Sequence, residues 1–124
     1  MTPYSAPGII ESEPLSPTPS GWLSELLDVC CQEFGRSRWE VVGNSRKPKI
    51  VDVRVAFCLM ALESKRRYTT TEIASHLNLR SHASVIYLHK AGVNRIGNPT
   101  FREWNKALQG VRQRIESATE EAIH

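Results

Sequence analysis

Thr69-Thr70-Thr71-Glu72-Ile73-Ala74-Ser75-His76-Leu77-Asn78-Leu79-Arg80-Ser81-His82-Ala83-Ser84-Val85-Ile86-Tyr87-Leu88-His89-Lys90-Ala91 is the stretch whose reading decides the fold. It predicts two short helices joined by a tight turn. Thr69 is followed three residues later by Glu72, the spacing of a capping box, in which the hydroxyl accepts from the Glu72 amide and the carboxylate from the Thr69 amide. Ile73, Ala74 and Leu77 then share one helical face. Asn78 tolerates the left-handed conformation that ends a helix. Leu79 and Arg80 make the turn, and Ser81 caps a second helix that runs to about Ala91 or Gly92. In that helix Val85, Leu88 and His89 cluster on one side and Ala83, Tyr87 and Lys90 on the other, a side too polar for core.

A helix-turn-helix of this shape sets the start of its second helix in the DNA major groove. Arg80, His82, Ala83 and Ser84 occupy that start. Arginine can donate to guanine N7 and O6, histidine and serine can each donate to one acceptor, and an alanine methyl can touch a thymine methyl. An ordinary helical hairpin with a solvated polar face has the same spacing, so the pattern alone leaves both readings open.

Charge is distributed unevenly around this stretch. The chain carries +3 overall, yet residues 1–34 hold no Lys or Arg and carry −5, residues 35–96 carry +8, and residues 97–124 balance. The positive charge lies where the helix pair lies, which is the electrostatic footprint of a duplex binder.

The run Glu72-Ile73-Ala74, followed by Arg80-Ser81-His82-Ala83-Ser84-Val85-Ile86, resembles the C-terminal DNA-binding domain of the bacterial replication initiator DnaA. That family's signature is approximately E-I-G, a spacer, then G-G-R-D-H-T-T-V-L-H. The likeness spans residues 45–91 and is sharpest from Glu72 to Ile86. It implies a helical module that binds a short duplex site. Arg80, His82 and Ser84 match the family's Arg, His and second Thr and are implied to meet base edges or phosphates. Arg54 lies near an Arg of the corresponding family helix, which implies a phosphate or minor-groove contact for it. The departures are Asn78-Leu79 for Gly-Gly, Ser81 for Asp and Ala83 for the first Thr, so an acid that could accept from cytosine N4 is missing. The family's ATPase is absent from the chain: there is no G-x-x-x-x-G-K-[ST], and Gly43-Asn44-Ser45-Arg46-Lys47 lacks its spacing.

Around this centre the rest of the chain reads in order. Five prolines among Ser, Thr and Glu before Ser20 predict a disordered tail. Ser20 caps a helix to Phe34, with Trp22, Leu23, Leu26, Leu27, Cys30 and Phe34 at helical spacing and Gly35 as the stop. Gly35 to Lys49 is basic and loop-like, and its Lys and Arg can neutralise phosphates whatever the sequence. Pro48 suits the first turn of a helix to about Ser64, with Ile50, Val53, Phe57, Met60 and Ala61 as its apolar set. Lys65, Arg66 and Arg67 form a basic corner before Tyr68. Gly97-Asn98-Pro99 breaks the chain, and Thr100 caps a last helix to about Glu121. Its stripe of Phe101, Trp104, Leu108, Val111 and Ile115 either packs on the domain or serves a dimer or partner.

Other chemistry finds no support in the residues. His76, His82 and His89 lack zinc-ligand spacing, and no Ser, Cys or Thr has a nucleophile's context. Tyr87 is a phosphate or base contact rather than a strand-transfer nucleophile, since no H-x-H motif accompanies it. Cys30, Cys31 and Cys58 fit buried thiols rather than a disulfide framework. No apolar run is long enough for a membrane span and no secretory pattern opens the chain, so a cytoplasmic location is expected.

The expectation is therefore an all-α protein with a disordered tail over 1–19 and a DNA-binding domain over 20–124, its helix-turn-helix at 69–91. It binds double-stranded DNA in replication control or transcriptional regulation, with no enzymatic activity, cofactor or metal. Arg80, His82, Ala83 and Ser84 read bases; Lys47, Lys49, Arg54, Arg66, Arg67, Tyr87 and Lys90 hold phosphates. The rival is a helical protein-interaction module that uses Trp22, Trp104 and the last helix. A nicking or transposition enzyme is a third reading.

Overall fold

Six α-helices and one 3-10 turn make up the secondary structure of residues 19–64 and 66–123, which the computed structural model describes. The helices are α1 (Pro19–Phe34), α2 (Arg38–Val41), α3 (Pro48–Glu63), α4 (Thr70–His76), α5 (His82–Arg95) and α6 (Arg102–Ile123), with the 3-10 turn at Pro99–Phe101. No strand occurs among the described residues, and the class is all-α. The expected tail, as far as Thr18, lies outside the described residues; Pro19 already belongs to α1.

α3 is the hub. Ile50, Val53, Val55, Ala56, Phe57, Cys58, Leu59 and Ala61 are all buried, apolar on every side, which a helix accepts only when neighbours surround it. Helices α1, α2, α4 and α5 do so. Burying each large side chain of this set contributes roughly 1.5–3 kcal/mol. The expected stripe was thus one part of a wider buried surface, and Met60 is only half-buried.

α1 ends as its glycine predicts. Gly35 adopts φ +67°, its amide donates to Gln32 O, and the Arg36 amide donates to Cys31 O at 2.9 Å. The basic stretch that follows is not all loop: Ser37 and Glu40 form a second capping box around the single turn of α2.

α5 outlasts its expected end. Gly92 reads as a stop in the sequence, but here it is helical and buried against α3, where an added Cβ would lie 3.1 Å from Leu59 Cβ. The missing side chain permits a close crossing, and the helix runs a further turn to Arg95. Arg95 then pairs with Asp52 at 2.6 Å and lies over the rings of Phe101 and Trp104. Trp104 Nε1 donates to the Asp52 carbonyl at 3.0 Å, joining α6 to α3. Asn98, not Thr100, begins the last helical segment: its side chain accepts from the Thr100 amide at 3.0 Å, because Pro99 can open a 3-10 turn without an amide of its own.

The two readings of the last helix resolve in favour of packing. Trp104, Leu108, Val111 and Ile115 are buried within the chain, largely against α1, so they are not available to a dimer or partner.

Candidate nucleic-acid interface

The segment from Thr69 to Ala91 bends at its middle, and each local signal sits where it can act. Thr69 Oγ1 accepts from the Glu72 amide at 3.1 Å, and Glu72 Oε1 accepts from the Thr69 amide at 3.0 Å. α4 closes through a Schellman arrangement: Leu79 N donates to Ala74 O at 2.9 Å, Asn78 N donates to Ser75 O at 3.2 Å, and Asn78 holds φ +57°. Ser81 Oγ then accepts from the Ala83 amide at 3.1 Å and starts α5.

Val85 and Leu88 sink into the core and set the rotation of α5 about its axis. At 3.6 residues per turn this points Ala83, Tyr87 and Lys90 outward, and Tyr87 is 72% exposed. Arg80, His82 and Ala83 stand in solvent at the front of the helix, with Ser84 half-buried beside them. Arg80 and His82 also line an open notch with Thr71, Ala74, Ser75, Asn78 and Leu79. His89, expected on the inner side, is partly covered and lies 3.7 Å from Glu63.

The phosphate candidates divide between segments. Lys47, which ends the stretch joining α2 to α3, and Lys49, in the first turn of α3, are both exposed. Arg66 and Arg67 are exposed before α4; the Arg66 guanidinium lies 4.9 Å from the centre of the Trp22 ring, which itself stacks on Tyr68, and Arg67 adopts φ +59°. Lys90 is exposed on α5.

Arg54 must be reassigned. It is only 7% exposed, and its guanidinium donates inward to the carbonyls of Val41, Gly43 and Ser45 at 2.7–2.8 Å. Burial lowers its pKa from the ordinary arginine value, but the group remains charged, and three of its five N–H donors, one on each nitrogen, are engaged on the chain itself. Buried and turned inward, it is not placed as a phosphate contact. Sequence position could not show this, because the carbonyls lie 9–13 residues away.

Two exposed residues stand outside the named site, one of them, Arg46, within the basic segment already expected to meet phosphates. Arg46 stands beside Lys47, and Trp39 on α2 is 73% exposed. The Ser37-x-x-Glu40 spacing was the available signal, since a capping box there makes α2 a helix and gives Trp39 a defined place. Glu40 itself titrates low, chiefly because it accepts from the Ser37 amide, with Arg36 and Lys47 adding attraction.

Ion pairing separates the cations into two sets. Arg38, Arg95, Arg112 and Arg114 have carboxylate partners in Asp28, Asp52, Glu63 and Glu33. Arg46, Lys47, Lys49, Arg67, Arg80 and Lys90 have none among the described residues, and neither do Arg36, Arg66, Arg102 and Lys106. Positive charge therefore remains uncompensated along the α2–α3 connection and around the α4–α5 turn. Among the described residues no group of three His, Cys, Asp or Glu side chains is placed to hold a metal ion, and no helix is long and apolar enough to cross a membrane.

The fold and this surface define a class: an all-α protein with a capped two-helix turn whose second helix begins in solvent amid unpaired cations. Comparison of the chain with protein-family models, curated proteins and solved structures finds no match.

Proposed function

We propose that this protein binds double-stranded DNA sequence-specifically through residues 69–91, in the manner that its resemblance to the DnaA C-terminal domain implies. It serves replication control or transcriptional regulation and hydrolyses no ATP. The observation that carries this reading is the front of α5: Arg80, His82 and Ala83 face water together while Val85 and Leu88 anchor the same helix in the core. Arg80, His82, Ala83 and Ser84 read bases. Lys47, Lys49, Arg66, Arg67, Tyr87 and Lys90 contact the backbone, with Arg46 added and Arg54 removed. Against the protein-interaction alternative stands the burial of Trp104, Leu108, Val111 and Ile115, and the contacts of Trp22 with Tyr68 and Arg66.

Selection of bound duplexes from a random pool, followed by titration at several salt concentrations, tests the proposal. Arg80→Ala should cost about 1–3 kcal/mol on the selected site and little on scrambled DNA, the mark of a base contact. Lys90→Ala should weaken both alike and flatten the salt slope by about one unit. The six cations assigned to the backbone, Arg46, Lys47, Lys49, Arg66, Arg67 and Lys90, set the slope of log K against log salt at about −5. No binding to any duplex at low salt, or no enriched motif, overturns the proposal.

A further inference from the structure

Arg54 is the one buried charged side chain in the described fold, and it holds a loop rather than a carboxylate. Burying a cation is costly unless its hydrogens find acceptors. Arg54 Nε donates to Val41 O at 2.8 Å, Nη2 to Gly43 O at 2.8 Å and Nη1 to Ser45 O at 2.7 Å. These carbonyls belong to alternate residues of one continuous stretch. A planar guanidinium can gather all three with one hydrogen from each of its nitrogens, whereas an ammonium carries its three donors on a single nitrogen and cannot occupy the three separate donor positions.

The stretch so gathered leads directly into Arg46, Lys47 and Lys49, all exposed and without carboxylate partners among the described residues. Val42 N donates to Arg38 O at 3.0 Å and Lys47 O accepts from Ile50 N at 2.9 Å, so the two ends are tied to α2 and α3, while between them the other ties are long: Gly43 N to Glu40 O at 3.3 Å and Lys47 N to Ser45 Oγ at 3.3 Å. Turning three carbonyl dipoles inward also removes negative partial charge from the face that those cations occupy. Charge and geometry thus work together, with the acceptors drawn under the loop and the cations left outside it.

We infer that Arg54 is a positioning residue: it pre-forms the loop over residues 42–47 as a backbone-phosphate-binding surface without touching the nucleic acid itself. The inference rests on the proposed DNA-binding role, and it assigns that role a second contact region whose order is built in before binding. Pre-organisation of this kind lowers the cost of ordering the loop on association.

Arg54→Lys and Arg54→Met separate a clamp from a mere charge. Both should open the loop to trypsin at the Arg46–Lys47 bond, the Lys47–Pro48 bond being resistant, and both should weaken binding to random duplex by roughly tenfold through lost pre-organisation. Both should also flatten the salt slope by about two units as the Arg46 and Lys47 contacts fall out, while the preference for the selected site over scrambled DNA stays unchanged. If Arg54 only supplied charge, Arg54→Lys would behave as wild type in every one of these measurements, and that result overturns the inference. Should the variants fail to fold, hydrogen exchange on the wild-type chain decides instead. The clamp requires a protected Arg54 Nε proton that remains unperturbed when duplex is added, beside Arg46, Lys47 and Lys49 amides that shift; an Nε proton that exchanges freely or shifts with DNA overturns it. A wild-type chain that binds no duplex, yet shows the protected Nε proton and the trypsin difference, refutes the DNA-binding role and leaves the clamp standing as a loop anchor alone.

Discussion

Gly92 and Gly110 both lie inside helices, and replacing each by alanine should move stability in opposite directions. Alanine in a helix interior is favoured over glycine by about 1 kcal/mol, which is the expected gain wherever the new methyl finds room. At Gly92 the methyl would lie 3.1 Å from Leu59 Cβ and 3.3 Å from both of its terminal carbons. Leu59 is fully buried on α3, and its Cβ is fixed by a helix enclosed by its neighbours. Relief therefore requires α5 to move away by a few tenths of an ångström, and overpacking of this kind costs about 1–3 kcal/mol. The crowding outweighs the propensity gain, so Gly92→Ala should lose about 1 kcal/mol, or roughly 4–8 °C of Tm for a domain near this size. At Gly110 the methyl would instead overlap the Glu33 carboxylate, the far end of a flexible side chain that can swing aside. The only loss is its pair with Arg114, whose side chain is 43% exposed, and such pairs contribute about 0–1 kcal/mol. Gly110→Ala should be neutral or stabilising. Urea denaturation of both variants measures the difference directly. A Gly92→Ala protein more stable than wild type would refute the close crossing, and with it the account of why α5 continues to Arg95.

Two further outcomes follow from the local structure. Asn78 holds φ +57°, so Asn78→Gly should leave stability unchanged or raise it, while Asn78→Ala should lose about 1 kcal/mol; equal melting of the two variants would mean that the turn does not need the left-handed residue. Burial raises the pKa of Cys30 well above the ordinary thiol value, of Cys31 to about 11 and of Cys58 to about 12. The folded chain then keeps thiol protons that the unfolded chain releases above about pH 8.5, so stability should fall as pH rises from there toward 11. At pH 8 iodoacetamide should leave all three thiols of the folded protein unlabelled while labelling the urea-unfolded chain; rapid labelling of the folded protein would contradict the burial.

Helix ends were legible in the sequence because capping is local. Thr69 with Glu72, Asn78, Ser81 and Gly35 each act on backbone groups within five residues, and each does so in the structure. α2 carries the same signal in Ser37 and Glu40, but one turn offers no apolar periodicity to draw attention to it. What escaped depends on partners far away in the chain. Gly92 has the composition of a stop, and only Leu59, on another helix, makes it a packing position. Arg54 looks like any basic residue off an apolar stripe until the carbonyls of residues 41–45 return over it. The front of α5 was legible in part: the periodicity that puts Val85 and Leu88 inside puts Ala83 and Lys90 outside, whereas the exposure of Arg80 follows from the shape of the turn.

A charge count from sequence treats every arginine alike, and the fold does not. The segment over 35–96 carries +8, but Arg38, Arg54 and Arg95 are committed to the protein's own acceptors. Arg95 lies at the C-terminal end of α5, where its charge also complements the helix dipole, and the Asp52 pair with the Phe101 and Trp104 rings holds it there. At the opposite end of the same helix Arg80 has no such partners among the described residues. One end of α5 is thus electrostatically satisfied and mechanically locked to α3 and α6, while the other is rigidly borne and electrostatically open. That polarity separates a supporting cation from one free to release counterions, and it is why the proposed contacts begin at Arg80 rather than Arg95.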